Sequence, residues 1–142
     1  MIDIIVNTLQ ECMELGEKIS SQIKPGDIIS LEGELGAGKT TFVKGILKGL
    51  NYKYDVTSPT FTLINEYDAD IKVIHIDFYR ETNSKRWEVI GLDEYLYSNN
   101  IVILEWGNIV KDILPNDMIT ITFDHIEINK RKIYSEYELF SN

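Results

Sequence analysis

Apolar positions along this chain follow two rhythms, one of helices and one of short buried strands. Thr8-Leu9-Gln10-Glu11 has the form of a helix-capping box. Leu9, Met13, Ile19 and Ile23 follow near helical spacing, and Lys24-Pro25-Gly26 is expected to stop that helix. Within Asp27 to Glu32, Ile28, Ile29 and Leu31 form a short apolar run of the kind a buried strand makes. A second helix is expected from Lys39 to about Leu50, with Phe42, Val43, Ile46, Leu47 and Leu50 on its buried side. The pattern then turns extended, with Thr60 to Tyr67, a turn at Asp68-Ala69-Asp70, and Ile71 to Asp77 reading as a hairpin. Trp87 to Leu96 has short helical character, Ile101 to Glu105 is a second buried strand, and Ile109 to Ile113 reads as a short helix before Pro115. Met118 to Phe123, Ile126 to Ile128 and Lys132 to Leu139 alternate as strands. The sum is an α/β mixed sheet with central parallel strands, antiparallel additions and flanking helices.

Between the first strand and the second helix stands Gly33-Glu34-Leu35-Gly36-Ala37-Gly38-Lys39-Thr40, a complete GxxxxGKT sequence. This makes the fold P-loop NTPase-like and the chain a nucleotide-phosphate binder. Glycines let successive main-chain N–H groups of Glu34, Leu35, Gly36, Ala37 and Gly38 close around phosphate oxygens. The following helix adds unpaired amides and the positive end of its dipole. Lys39 is expected along the outer phosphates, Thr40 offers a hydroxyl to a magnesium ion, and Thr41 adds a phosphate contact.

Length and charge narrow the picture. At 142 residues the chain suits one domain, 1–142, with a real core but no room for long lids. A formal net charge of −9 and a pI near 4.7 speak against a broad nucleic-acid footprint, so any nucleic acid is expected to be held by a partner. Cys12 is the only cysteine, which excludes an internal disulfide, and His75 and His125 are too scattered for a zinc site. Neither a signal peptide nor a long apolar run is evident, and the chain reads as cytoplasmic.

A nucleotide enzyme also needs carboxylates near its metal. Val73-Ile74-His75-Ile76-Asp77 and Ile101-Val102-Ile103-Leu104-Glu105 are both apolar runs that end in an acid. At the carboxyl ends of adjacent strands, Asp77 and Glu105 would face the same crevice as the glycine loop. One could hold the metal while the other orients the attacking water, and the pattern leaves open which does which. Thr57-Ser58-Pro59-Thr60 is either a turn entering a strand or a hydroxyl-bearing switch. Trp106 suits a core or a shelf beside nucleotide, and Arg80 suits a cis arginine finger or a surface ion pair.

In order along the chain, GELGAGKTTF (33–42), SPTFTLINEY (58–67), HIDFYR (75–80) and ILEWG (103–107), with Gly91-Leu92-Asp93-Glu94-Tyr95, closely resemble the TsaE family, formerly YjeE. The resemblance spans almost the whole chain, and the ordered combination is far more specific than the glycine loop alone. It implies an ATPase that uses ATP and Mg2+ and works with TsaB and TsaD. That pair places a threonylcarbamoyl group on the adenosine 3′ of the anticodon in tRNAs reading ANN codons. In the family TsaD carries the transfer site, TsaC or its relative makes the threonylcarbamoyl adenylate, and hydrolysis by TsaE resets the complex, so tRNA is met only through the complex. Carried over by position, the metal ligands fall on Thr40 and Glu105, the second acid on Asp77, the switch-like threonine on Thr60, and the tryptophan beside the nucleotide on Trp106. A basic residue late in the family chain is matched to Arg131. Cys12 departs from the pattern, since many relatives carry Thr there, near the adenine side.

Other classes fit less well. A small-molecule kinase needs a lid of arginines, and the chain has only Arg80, Arg86 and Arg131. A GTPase needs DxxG, which is absent, and a guanine-reading NKxD, whose aspartate Asn129-Lys130-Arg131-Lys132 lacks. The competing alternative is a nucleotide-dependent interaction module with little intrinsic turnover.

Overall fold

The computed structural model describes residues 2–34, 36, 38–56, 63–128 and 130–136. Its strands are β1 (Ile2–Val6), β2 (Ile28–Glu32), β3 (Ile64–Asp68), β4 (Lys72–Asp77), β5 (Ile101–Glu105), β6 (Ile119–Glu127) and β7 (Lys130–Ser135). They form one sheet in the order β1-β7-β6-β2-β5-β4-β3. β2 pairs in parallel with β5 and β6, and β4 pairs in parallel with β5. The outer pairs, β3 with β4, β6 with β7 and β1 with β7, are antiparallel. The strand that delivers the glycine loop is therefore central, as its apolar run predicts. The expected hairpin supplies the antiparallel edge.

Helices cover both faces. α1 (Leu9–Ile19) and α2 (Lys39–Gly49) pack with Ile29, Leu31, Ile101 and Ile103 on one side. α3 (Ser84–Ile90), α4 (Leu92–Leu96) and a 3-10 helix at Gly107–Ile113 cover the other, where Ile28, Ile74, Ile76, Val102 and Leu104 meet Trp87 and Leu92. This coverage explains why the central strands β2 and β5 read as short apolar runs: both of their faces are covered. No helix among the described residues is long and apolar enough to cross a membrane.

Several boundaries differ from the sequence expectation. α1 stops at Ile19 rather than at Pro25, because the Ser20 and Ser21 hydroxyls donate to the Glu17 and Lys18 carbonyls (2.5 and 3.0 Å) and compete with helix continuation. Its buried face is Cys12, Leu15, Gly16 and Ile19, whereas Leu9 is 48% exposed. The segment 87–96 is two helices, divided at Gly91, whose φ of +91° suits glycine. The expected strands 118–123 and 126–128 are one strand, β6, over Ile119–Glu127, with Met118 and Ile128 outside it, and a register irregularity between His125 and Glu127 absorbs the break in alternation. β1 is not among the expected elements; it adds to β7 from Ile2↔Ser135 to Val6↔Arg131.

Candidate functional site

The site grows from the turn between β2 and α2. Gly33, Gly36 and Gly38 have φ of +150°, +78° and +99°, values that glycine adopts without the strain a side chain would bring. Gly38 caps α2 without any side-chain hydrogen bond, so the first amides of the helix are left for an anion. Lys39, Thr40 and Thr41 open that helix and line a crevice of about 290 Å³ with Leu9, Gly36, Gly38, Asp77, Glu105 and Trp106. Leu35 and Ala37 of the loop, and Thr60 and the rest of 57–62, lie outside the described residues. Glu34 is exposed and does not line the crevice.

Register brings the two acids together. In the parallel β4–β5 ladder Asp77 stands opposite Glu105, at the carboxyl ends of both strands. Both sit on the face that carries Val73, Ile101 and Ile103, the face toward α2. Thus a hydroxyl at Thr40, an ammonium at Lys39 and two carboxylates converge on one opening. Glu105 is buried at 4% exposure. Its Oε2 accepts a hydrogen bond from His75 Nε2 at 2.6 Å. Asp77 Oδ1 accepts one from the Tyr79 amide at 2.9 Å.

Lys39 is held without a carboxylate partner within salt-bridge distance among the described residues. Its ammonium donates to the Gly33 carbonyl (2.6 Å) and lies 4.2 Å from the centre of the Trp106 ring. Burial pulls the ammonium below its ordinary pKa, against the opposing pull of Glu105 and then of Asp77. Burial also lifts the Asp77 carboxyl above its ordinary value, opposed first by the Tyr79 hydrogen bond, while the Glu105 charge adds to the rise. Both effects mark a crevice short of solvation, one that a phosphate and a cation would relieve.

Trp106 lies against Lys39 at the edge of the crevice. Directly after β5 it takes a left-handed φ of +61°, which turns its half-buried ring beneath Lys39 and 5.0 Å from the Tyr79 ring. Arg131 reaches the loop from β7. Its Nη2 donates to the Gly36 carbonyl at 3.0 Å, and its Nη1 donates to the Glu127 carbonyl at 3.2 Å. The guanidinium therefore ties the β6–β7 hairpin to the glycine loop. Cys12 is fully buried beneath that loop, its thiol 3.5 Å from the Gly38 carbonyl, and does not line the crevice; Leu9, three residues earlier, does. Arg80 is exposed and does not line the crevice either.

Sequence reasoning missed His75, considered only as a zinc ligand, and the partnership of Tyr79 with Trp106. A signal for the first was present: two residues before Asp77 on a strand, His75 must share its face. Among the described residues no group of three or more His, Cys, Asp or Glu could hold a metal by itself. The oxygen donors present, hydroxyls at Thr40 and Thr41 and carboxylates at Asp77 and Glu105 beside the glycine loop, are the hard ligands that suit magnesium. That ion commonly takes one or two carboxylates and completes its shell with phosphate and water.

A central parallel sheet, a glycine loop opening a helix, and acids at the neighbouring strand ends together define a P-loop fold built for nucleotide phosphates. The chain belongs to the TsaE family: the pattern described as "Threonylcarbamoyl adenosine biosynthesis protein TsaE" matches residues 6–133. The tRNA threonylcarbamoyladenosine biosynthesis protein TsaE of Aquifex aeolicus is 40% identical over 134 residues, covering 92% of each chain. The protein of the same name from Bacillus subtilis is 37% identical over 136 residues, covering 92% of this chain and 85% of its own. The crystal structure of Bacillus subtilis YdiB superposes with a TM-score of 0.80 at 32% identity, covering 93% of this chain and 82% of that one.

Proposed function

We propose that the chain is the magnesium-dependent ATPase subunit of tRNA threonylcarbamoyladenosine biosynthesis, acting in the cytoplasm with TsaB and TsaD and meeting tRNA only through that complex. The observation that carries the proposal is the in-register pair Asp77 and Glu105 opposite the start of α2, where Lys39 and Thr40 stand. A phosphate-binding loop alone would serve a passive nucleotide binder. Two carboxylates on the same opening supply what hydrolysis needs in addition.

In this reading the loop amides and the N-terminus of α2 take the phosphate oxygens. Lys39 exchanges the Gly33 carbonyl for the outer phosphates, a short movement because its ammonium already lies in the crevice. Thr40 and Glu105 would hold Mg2+, which when bound neutralises charge on the outer phosphates. Asp77 accepts a hydrogen bond from the attacking water and aims it; burial raises this carboxyl above its ordinary value, which suits a proton acceptor. Trp106 screens one wall of the crevice from water, and Arg131 keeps Gly36 in the loop conformation that receives phosphate. Thr60, which lies outside the described residues, is assigned by its place in the sequence motif to sensing the γ-phosphate.

Calorimetric titration of ATP with magnesium tests the assignment. Wild-type protein is expected to bind, and Lys39→Ala to lose at least ~100-fold in affinity, or about 2.7 kcal/mol. Equal affinity in the two proteins would remove the phosphate site from the glycine loop.

A further inference from the structure

β4 carries one reactive side chain that the nucleotide reading does not use. His75 is wholly buried, its Nε2 is 2.6 Å from Glu105 Oε2, and its Nδ1 has no hydrogen-bond partner among the described residues. The contact is diagonal: Asp77 pairs with Glu105 and His75 with Ile103, so the imidazole sits one pleat deeper than the acids and reaches up to one of them. An ionised carboxylate can only accept, so Nε2 carries the hydrogen of this contact, and in the neutral imidazole Nδ1 is then a bare lone pair. That lone pair is a cost to the fold. The neighbouring inward positions are Val73, Ile101 and Ile103, and an aliphatic residue at 75 would avoid it. A buried polar group left half-satisfied among aliphatic neighbours is explained by the bond it does make.

We propose that His75 is a positioning residue for Glu105. By holding Oε2 against the floor of the crevice, it fixes the carboxylate rotamer and commits Oε1 to the magnesium–nucleotide side. The second oxygen of a side chain so anchored cannot swing toward Lys39, the nearest cation in the crevice. Such a swing would close an ion pair across the phosphate site. His75 thus keeps an acid and an ammonium apart in a small, poorly solvated opening until nucleotide enters. The inference rests on the assignment of Glu105 to the metal. It adds a residue with no contact to nucleotide, and its effect should fall on one component of binding.

The test compares wild-type protein, His75→Leu and His75→Gln, each titrated with ATP in the presence and absence of magnesium. His75→Leu should weaken magnesium-ATP binding ~10–100-fold, the usual effect of removing a partner that orients a metal ligand. Its affinity for ATP without magnesium should stay within about twofold. His75→Gln places an amide N–H near the former Nε2 and should restore most of the magnesium contribution. A residue that serves packing alone would affect both titrations together and would not be rescued by glutamine. An unchanged magnesium contribution in His75→Leu overturns the inference. Nitrogen-15 NMR of the wild-type imidazole gives a reading that needs no variant and no nucleotide: Nε2 protonated and Nδ1 bare is expected, and the opposite tautomer overturns the proposal. If His75→Leu does not fold, that spectrum and His75→Gln decide on the same terms. Failure of wild-type protein to bind magnesium-ATP would instead count against the functional assignment, and the spectrum would still judge the His75–Glu105 bond.

Discussion

Lys39 shows how much of a site one side chain can reveal. Its ammonium is satisfied by a carbonyl dipole and an aromatic face, although two carboxylates line the same crevice. Held this way it remains available to phosphate, where a direct ion pair would have to be broken first. The placement of Lys39 at the start of α2 was legible in the sequence because the GxxxxGKT spacing puts it there. The placement of Cys12 was not, because helical spacing does not say which side of a helix faces a loop 26 residues later. Burial pushes the Cys12 thiol up from its ordinary 9.0 to about 11, against a smaller lowering by Arg131. The folded protein thus keeps a proton that the unfolded chain gives up first, so this contribution to stability is complete below pH 9.0 and is lost as pH rises to about 11. The stability difference between wild-type protein and Cys12→Ala should therefore shrink by roughly 2–3 kcal/mol across that window, measured by urea unfolding at stepped pH. A difference that stays flat would mean that the thiol is not held in the protonated form.

At the scale of elements, the contact between α1 and α2 sets how the glycine loop is supported from below. The helices approach closely where Gly16 meets the backbone of Phe42 and Gly45 meets that of Met13; a Cβ added at Gly45 would run into the Met13 carbonyl. Alanine favours a helix over glycine by about 1 kcal/mol, yet here it would force two backbones apart. Gly45→Ala should consequently destabilise the fold by a net ~1–3 kcal/mol, seen as a lower midpoint in thermal or urea unfolding. A stabilised variant would show that the helices are not in this contact. The parallel strands and both main helices were readable because burial on both faces, or on one stripe, leaves an unbroken or a 3.6-residue apolar pattern. The end of α1 was not readable: serines that bond back to their own helix stop it before proline does. β6 was split for a similar reason, since its outer half pairs with β7 while its side chains from Asp124 to Glu127 are exposed, and alternation then carries no burial signal.

For the whole molecule, charge and size set the terms on which it meets other molecules. With a net charge of −9 the chain repels phosphodiester backbones. The isolated protein should give no gel shift with tRNA at physiological salt, and a stable shifted band would overturn the view that nucleic acid is met only through partners. Register was the largest gain of structure over sequence at this scale. Two acids ending separate strands were each a weak signal, and only the β4–β5 pairing shows that they stand side by side.

The most direct test of the central claim is phosphate release from ATP with magnesium, by the chain alone and with the proposed partners TsaB and TsaD, using Glu105→Gln as the control. The account predicts that the partners raise turnover and that Glu105→Gln lowers it at least ~100-fold while still binding nucleotide, in the range of losses seen when a single catalytic group is removed. Equal turnover by Glu105→Gln, or ATP-driven assembly with no phosphate release by wild-type protein, would contradict it.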